Sequence, residues 1–215
     1  MSVELSLFDL AAVSFETRYA GAFLLWDRAG AVWSTVAKKY PQLTIDSATP
    51  QETKVNISEK AVGVVAADKT VITVVRPKSD LQELRDIAGV LFPAIFSQLE
   101  ISTLARIGML LQFVKSFQTR EEASNFVSSQ VPFPQPKGKH LNVSGRVLDP
   151  EMNFRYEDEA LGFRYRLWAN EVTMNINLPT EFRDVAPQTT KRSFAHFDID
   201  YYAHGATARG CPGLC

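Results

Sequence analysis

The sequence predicts an α+β protein in which a ferredoxin-like βαββαβ half is followed by an antiparallel β-sheet half. Three patterns point to this class. Apolar side chains recur at every second residue in several segments, which is typical of half-buried strands. They recur at every third or fourth residue in two other segments, which indicates helices. Beyond a proline-rich stretch, only the strand pattern is found. The first six segments follow the order β-α-β-β-α-β, the split βαβ arrangement of ferredoxin-like folds.

A strand and a helix open the chain. Apolar and polar side chains alternate over residues 3–15, and the apolar spacing then changes to three and four from Thr17 to Tyr40. Pro41 ends this helix because a proline has no amide hydrogen to donate. The side chains predicted to face the core are Tyr19, Phe23, Trp26, Ala29 or Gly30, Trp33, Val36 and Tyr40.

Two strands and a second helix are predicted next. Residues 55–66 form one strand and residues 70–75 return beside it, joined by a turn at Ala67-Asp68-Lys69. Ser79-Asp80-Leu81-Gln82 has a capping-box pattern, in which the serine oxygen accepts a free amide hydrogen of the first helical turn. Pro93 lies inside this helix and is expected to kink it or to mark its end.

A long strand and a short helix complete the first half. Apolar side chains alternate over residues 101–117, which predicts the strand. Thr119 and Glu122 have capping-box spacing, so a short helix is expected to begin there and to run through Val127.

The predicted domain boundary coincides with the proline-rich stretch. We expect a ferredoxin-like α+β subdomain over residues 1–130, a linker over 131–140, an antiparallel β subdomain of four or five strands over 141–204, and a flexible tail over 205–215. The linker is inferred because prolines cannot donate to a strand ladder. In the second subdomain the alternation shifts by one residue near Asn170-Glu171, which predicts a bulge or a turn.

The composition argues against several functional classes. The 23 basic and 24 acidic residues give a formal net charge of −1, so no overall field would attract nucleic acid or an anionic membrane. No apolar run approaches the roughly 20 residues that span a bilayer, and the first residues lack the basic start of a secretion signal. The two cysteines, Cys211 and Cys215, lie outside the predicted body of the fold, so we expect a cytoplasmic location.

One histidine and two aspartates in the last predicted strand are candidate metal ligands. His196, Asp198 and Asp200 alternate, so their side chains project from one face at intervals of about 7 Å. An imidazole and two carboxylates could begin a divalent-metal site. The interpretation that we favour is that the carboxylates form cross-strand ion pairs with arginines of neighbouring strands. These arginines are Arg155, Arg164 and Arg166.

A small basic cluster is the candidate contact for nucleic acid or another anion. Lys137, Lys139 and Arg146 lie close together in the sequence, and ferredoxin-like sheets are also the scaffold of RNA-recognition modules. Those modules stack bases on aromatic side chains of an open sheet face, and the predicted third and fourth strands lack such a cluster. A solvated loop is therefore the favoured interpretation of these cations.

The sequence contains none of the common catalytic motifs. It has no Gly-x-Ser-x-Gly elbow, no Walker loop and no dinucleotide-binding glycine fingerprint. It has three histidines, and neither cysteine lies in the predicted body of the fold. We therefore expect a protein that is not an enzyme and that requires no cofactor.

Two short motifs resemble a known family. Ala105-Arg-Ile-Gly-Met109 lies in the strand after the second helix, and Phe197-Asp-Ile-Asp-Tyr201 lies in the last strand. Together with the order of elements, these motifs resemble a sporadically distributed family of bacterial proteins of about this size that has no established activity. The resemblance implies a bacterial cytosolic protein and assigns no site residue.

The function predicted from the sequence is binding or assembly through a sheet edge or through an aromatic-lined groove between the two halves. A protein partner or a second copy of the chain is the favoured occupant, and a small molecule in that cleft is a further interpretation. The alternative functions are a metal-dependent hydrolase that uses His196, Asp198 and Asp200, and a nucleic-acid-binding protein. No membrane association is expected.

Overall fold

The structure is a computed structural model that describes residues 3–78, 81–130, 149–176 and 188–205. These residues form three α-helices, one short 3₁₀ helix and nine β-strands. The helices are α1 (Leu25–Ala37), α2 (Gln82–Gln98) and α3 (Arg120–Gln130), and the 3₁₀ helix is Leu5–Leu7. The strands are β1 (Asp9–Arg18), β2 (Thr44–Ala48), β3 (Glu52–Asn56), β4 (Ala61–Ala66), β5 (Lys69–Val75), β6 (Arg106–Phe117), β7 (Glu151–Glu157), β8 (Leu161–Ile176) and β9 (Gln188–His204).

The nine strands belong to one antiparallel sheet, which confirms the α+β class. Their order is β2-β3-β4-β5-β1-β6-β9-β8-β7. In the register, Val13 of β1 lies opposite Val74 of β5, and Val64 of β4 lies opposite Val71 of β5. The β4–β5 hairpin reverses direction between Ala66 and Lys69, where the turn was predicted.

The sequence prediction was wrong in the number of strands between α1 and α2, where the structure has four and not two. The segment predicted as one strand over residues 55–66 contains the end of β3 and all of β4, and the chain reverses at residues 57–60 between them. Ile57 closes this reversal by donating its amide hydrogen to the carbonyl of Ala61 at 2.8 Å. The strand β2 escaped prediction because all five of its residues are exposed, so it carries no apolar alternation.

The first strand and helix also differ from their predicted bounds. The apolar alternation begins before β1 does, because Leu5–Leu7 forms the 3₁₀ helix. Since α1 begins at Leu25, Phe23 precedes the helix and is 86% exposed, and Trp26 is 66% exposed in the first turn. The predicted inward face was therefore wrong for these two aromatic residues. The residues that α1 buries are Leu25, Val32, Trp33 and Val36.

The second helix continues through its internal proline. The expectation that Pro93 could end it was wrong, because α2 runs to Gln98. An interior proline costs about 3 kcal/mol, whereas full burial of one large apolar side chain stabilises by about 1.5–3 kcal/mol. The large side chains that α2 buries are Leu84, Ile87, Leu91, Phe92 and Ile95. Ser79 and Asp80 of the predicted capping box lie outside the described residues.

The Thr119 cap predicted for α3 is confirmed. The amide of Glu122 donates to Thr119 Oγ1 at 3.2 Å, and Glu122 Oε2 accepts from the amide of Gln118 at 3.1 Å. The first bond satisfies an amide hydrogen that a helix N-terminus otherwise leaves without a partner. The second reaches the amide of Gln118, one residue before Thr119, whereas a capping box uses the amide of the cap residue itself.

The chain divides into two compact units that each combine separate segments. The larger unit comprises the described residues of Leu10–Gln112, Arg155–Arg164 and Ile199–Cys215. The smaller unit comprises those of Met1–Asp9, Phe113–Phe154 and Tyr165–Asp198. Of the predicted subdomain boundaries, the linker over residues 131–140 and residues 206–215 of the tail lie outside the described residues.

The core of the larger unit joins both of its helices to the strands. The ring of Phe15 on β1 meets the edge of Phe92 on α2, with centroids 5.2 Å apart. The fully buried members of this core include Val13, Val32, Val36, Ile72, Val74, Leu91 and Ile95.

The smaller unit is packed by aromatic rings. Phe197 on β9 lies 5.9 Å from Phe8, 6.1 Å from Tyr165 and 6.4 Å from Phe113, measured between ring centroids. The strand β8 runs without a break through residues 170–171, so the turn predicted there was wrong, while the bulge stays a prediction.

Candidate functional site

The larger unit contains a pocket of about 440 Å³ against its strands. Strands β1, β6, β7, β8 and β9 and the β7–β8 turn contribute to it. The lining consists of Phe15, Ile107, Gly108, Met109, Tyr156, Asp158, Leu161, Gly162, Phe163, Tyr201, Tyr202 and Ala203. Asp158 is the one charged residue among these described lining residues.

Strand alternation brings the apolar lining to one side of the sheet. Successive side chains of a strand point to opposite faces, so Leu161 and Phe163 of β8 share a face, as do Tyr201 and Ala203 of β9. Residues of this parity supply most of the lining, and Gly108, Gly162 and Tyr202, which alternate with them along the strands, line the pocket as well.

Three of the lining rings form a cross-strand row, which we call the aromatic row. Its members are Tyr156 on β7, Phe163 on β8 and Tyr201 on β9. The centroids of Tyr156 and Phe163 are 5.6 Å apart, and those of Phe163 and Tyr201 are 5.9 Å apart. Tyr156 is 48% exposed, Tyr201 is 52% exposed and the neighbouring Leu161 is 58% exposed. The pocket thus presents large apolar side chains to solvent.

Asp158 is fixed at the pocket by the turn between β7 and β8. Its Oδ1 accepts amide hydrogens from Ala160 at 2.9 Å and from Leu161 at 2.8 Å. The Asp158 amide donates to the carbonyl of Leu161 at 2.9 Å, which closes the turn. The two hydrogen bonds from backbone amides lower the pKa of Asp158, so its carboxylate is ionised at neutral pH.

The opposite face of the same strands carries a charged network around Tyr202. The guanidinium carbon of Arg106 lies 4.3 Å from the centroid of the Tyr202 ring, and Arg155 Nε donates to the Tyr202 hydroxyl at 3.2 Å. Arg106 Nη2 also donates to Asp200 Oδ1 at 2.9 Å and to Oδ2 at 2.7 Å. Arg106 Nη1 lies 3.6 Å from Glu16 Oε1.

The three predicted metal ligands have separate surroundings. Both carboxylate oxygens of Asp200 accept from Arg106. The imidazole of His196 stacks on the indole of Trp168 with centroids 5.0 Å apart, and burial lowers the pKa of His196. No group of three or more His, Cys, Asp or Glu side chains within the described ranges is placed to hold a metal ion. The third predicted ligand, Asp198, is half-buried on β9. The metal site stays a prediction.

Two of the arginines predicted to pair with the aspartates pair with glutamates in the structure. Arg166 donates to both carboxylate oxygens of Glu151 at 2.8 and 3.0 Å, and Arg155 pairs with Glu157. The arginine that pairs with Asp200 is Arg106, which the sequence prediction did not include.

The basic cluster predicted to contact anions cannot be placed in this architecture. Lys137, Lys139 and Arg146 lie outside the described residues. Within the described part of the chain, no helix is both long enough and apolar enough to cross a membrane.

Sequence reasoning missed the pocket, although one signal for it was available. Each of three predicted strands carries an aromatic residue in its apolar phase, namely Tyr156, Phe163 and Tyr201. Their meeting in one row depends on the neighbour order β9-β8-β7, which periodicity does not give.

The comparisons with known proteins add no assignment to this geometry. The sequence matches no protein-family model and no curated protein sequence. The family resemblance of the two short motifs therefore stays a prediction.

Proposed function

We propose that the chain is a binding protein that holds a small apolar molecule against the aromatic row, and that it is not an enzyme. The observation that carries this proposal is the pocket of about 440 Å³, whose lining is apolar or aromatic apart from Asp158. Ligand pockets are typically concave, mostly apolar and roughly 300–1,000 Å³ in volume, with a few polar groups that orient the ligand.

The exposure of the lining supports the same proposal. Tyr156, Leu161 and Tyr201 are close together in one lining and each is about half exposed. A ligand that covers such a surface removes apolar area from water, which contributes about 25 cal/mol of binding free energy per Å². Clustered exposed apolar side chains commonly mark binding sites.

The sheet edge is a weaker candidate for the binding surface. Strand β2 lies at one edge of the sheet, and all five of its residues are exposed. Its register shifts between Ile45 and Ser47, and Asp46 between them forms an ion pair with Lys54 at 2.7 Å. Irregularities and charges of this kind hinder the addition of a further strand.

The alternative of a metal-dependent hydrolase receives less support from the geometry. Arg106 occupies both oxygens of Asp200, and Trp168 covers one face of the His196 ring. A ligand set built on these residues would have to break the Arg106–Asp200 pair first.

For the fold, we propose that β1, α1, β4, β5, α2 and β6 form the ferredoxin-like half, with β2 and β3 as additions. The order β4-β5-β1-β6 supports this proposal, because it places β1 between the third and fourth strands of a βαββαβ series. A bacterial cytoplasmic location is also a proposal, which the lack of cysteine in residues 1–210 supports.

Titration with the uncharged dye Nile red tests the proposed function. We expect saturable binding to the full chain with a rise in dye fluorescence, because an apolar pocket excludes water from the dye. Replacing Leu161→Lys places an ammonium group in the pocket lining and should weaken binding by about tenfold or more, which corresponds to about 1.4 kcal/mol.

The matched control is Ile45→Lys, because Ile45 is 62% exposed but lies outside the pocket lining. This variant should bind the dye as the unchanged protein does. Failure of the unchanged protein to give saturable binding, or equal weakening in both variants, would contradict the proposal.

A further inference from the structure

We infer that the pocket selects small molecules with an apolar body and a cationic head, such as an alkyl ammonium, over neutral or anionic molecules of the same length. This inference rests on the proposed function, because it names the ligand class of the same pocket.

The first argument is the charge at the pocket. Asp158 is the one charged residue of the described lining, and two backbone amides hold its carboxylate in place. These bonds occupy Oδ1 and fix the direction of the carboxyl group. A ligand cation beside Asp158 would gain a favourable interaction without having to order a mobile side chain.

The second argument is the aromatic row. The faces of aromatic rings are electron-rich and attract ammonium groups within about 6 Å. Tyr156 and Tyr201 are the two ends of the row, and each remains about half exposed. A cationic head at either end of the row would lie against a tyrosine ring, in the pocket that Asp158 also lines.

The third argument concerns the cations of the surrounding strands. Arg106 is engaged by Asp200 and by the ring of Tyr202, and Arg155 is engaged by Glu157 and by the Tyr202 hydroxyl. Their strand positions place both on the face opposite the pocket. A carboxylate-headed ligand would therefore face Asp158 with no lining cation to compensate the repulsion.

The test compares three eight-carbon probes that differ in their head groups: octyltrimethylammonium, octan-1-ol and octanoate. Each is titrated, below its micelle concentration, into full-length protein labelled with ¹³C at the methionine methyl groups. The methyl group of Met109, a lining residue, reports binding, and that of Met152, outside the lining, is the internal control. We expect octyltrimethylammonium to bind about three- to tenfold more tightly than octan-1-ol, and octanoate to bind most weakly.

The variant Asp158→Asn separates the carboxylate from the rest of the pocket. An asparagine Oδ1 can accept the same two amide hydrogens, so the turn is retained. The preference for the cation over octan-1-ol should fall by about two- to fivefold. Asp27→Asn, an exposed site outside the lining with the same change in net charge, should leave the preference as it is.

The outcomes distinguish this inference from the proposed function. If octan-1-ol shifts the Met109 methyl resonance but the cation binds no more tightly, the selectivity is refuted and the proposed function stands. If octanoate binds as tightly as the cation, the selectivity is refuted as well. If none of the three probes shifts Met109, the proposed function itself fails.

Discussion

At the scale of single residues, Gly162 determines how Tyr202 is accommodated. A Cβ atom at position 162 would overlap ring atoms Cε2 and Cζ of Tyr202 and would lie 2.7 Å from its hydroxyl oxygen. The absent side chain of Gly162 therefore makes room for the ring on which Arg106 and Arg155 converge. Gly108 on β6 also makes room for Tyr202, because a Cβ atom at position 108 would lie 3.1 Å from the Cβ of Tyr202.

We predict that Gly162→Ala destabilises the protein by about 1–3 kcal/mol, because an added methyl group overpacks a filled site. Urea denaturation measures this change in the free energy of unfolding. Gly30→Ala is the control, since nothing lies within 4 Å of a Cβ there and the site is inside α1. That substitution should stabilise by about 0.5–1 kcal/mol.

The double variant Gly162→Ala with Tyr202→Ala identifies the cause. If the clash with the ring is responsible, Gly162→Ala should cost much less in the Tyr202→Ala background. An unchanged cost would assign the effect to the backbone of β8.

At the scale of elements, the caps and faces of helices and strands explain which sequence patterns were informative. The α3 cap was predictable because both of its partners lie within four residues. The α1 face was only partly predictable, because three-and-four spacing does not show where a helix begins. Strand β2 gave no pattern, since its exposed residues pair with β3 through the backbone.

We predict that Thr119→Ala lowers the free energy of unfolding by about 1 kcal/mol, because it removes the hydroxyl that caps α3. Chemical denaturation followed by far-ultraviolet circular dichroism is the measurement. Thr35→Ala serves as the control, because the Thr35 hydroxyl donates to the carbonyl of Ala31 within α1 and caps nothing. Equal losses in both variants would refute the assigned capping role.

At the scale of the whole molecule, the sequence was sufficient for the class of fold and insufficient for the site. Local periodicity located most helices and strands because burial of one face leaves a regular trace. The strand order and the engagement of Asp200 by Arg106, 94 positions away, depend on long-range pairing that no local pattern records. The pocket follows from that pairing, so it was not predictable from His196, Asp198 and Asp200.

A buried tyrosine links overall stability to alkaline pH. The hydroxyl of Tyr19 donates to the carbonyl of Ala66 at 2.9 Å and lies 2.9 Å from Thr70 Oγ1. Burial raises the pKa of Tyr19 to about 12, compared with 10.0 for an ordinary tyrosine. The unfolded chain therefore loses this proton first as the pH rises.

We predict that this contribution to stability is complete below pH 10 and is lost as the pH rises from 10 to 12. Its upper limit is about 3 kcal/mol, because burial raises the pKa from 10.0 to about 12. Urea denaturation at several alkaline pH values should show a steeper loss for the unchanged protein than for Tyr19→Phe. The variant should start about 1–2 kcal/mol lower at neutral pH, because it leaves buried polar groups without a partner. Parallel pH profiles would contradict the prediction.

The two-sided character of β9 has a consequence for changes in chain length. Tyr201 and Ala203 alternate along the strand with Asp200 and Tyr202, and Asp200 and Tyr202 meet the arginines, although Tyr202 also lines the pocket. Inserting or deleting one residue within the strand would exchange these two sets. An aspartate would then enter the apolar lining, and Arg106 would lose its carboxylate partner. We therefore expect β9 to accept many replacements of one residue by another but no single-residue insertion or deletion.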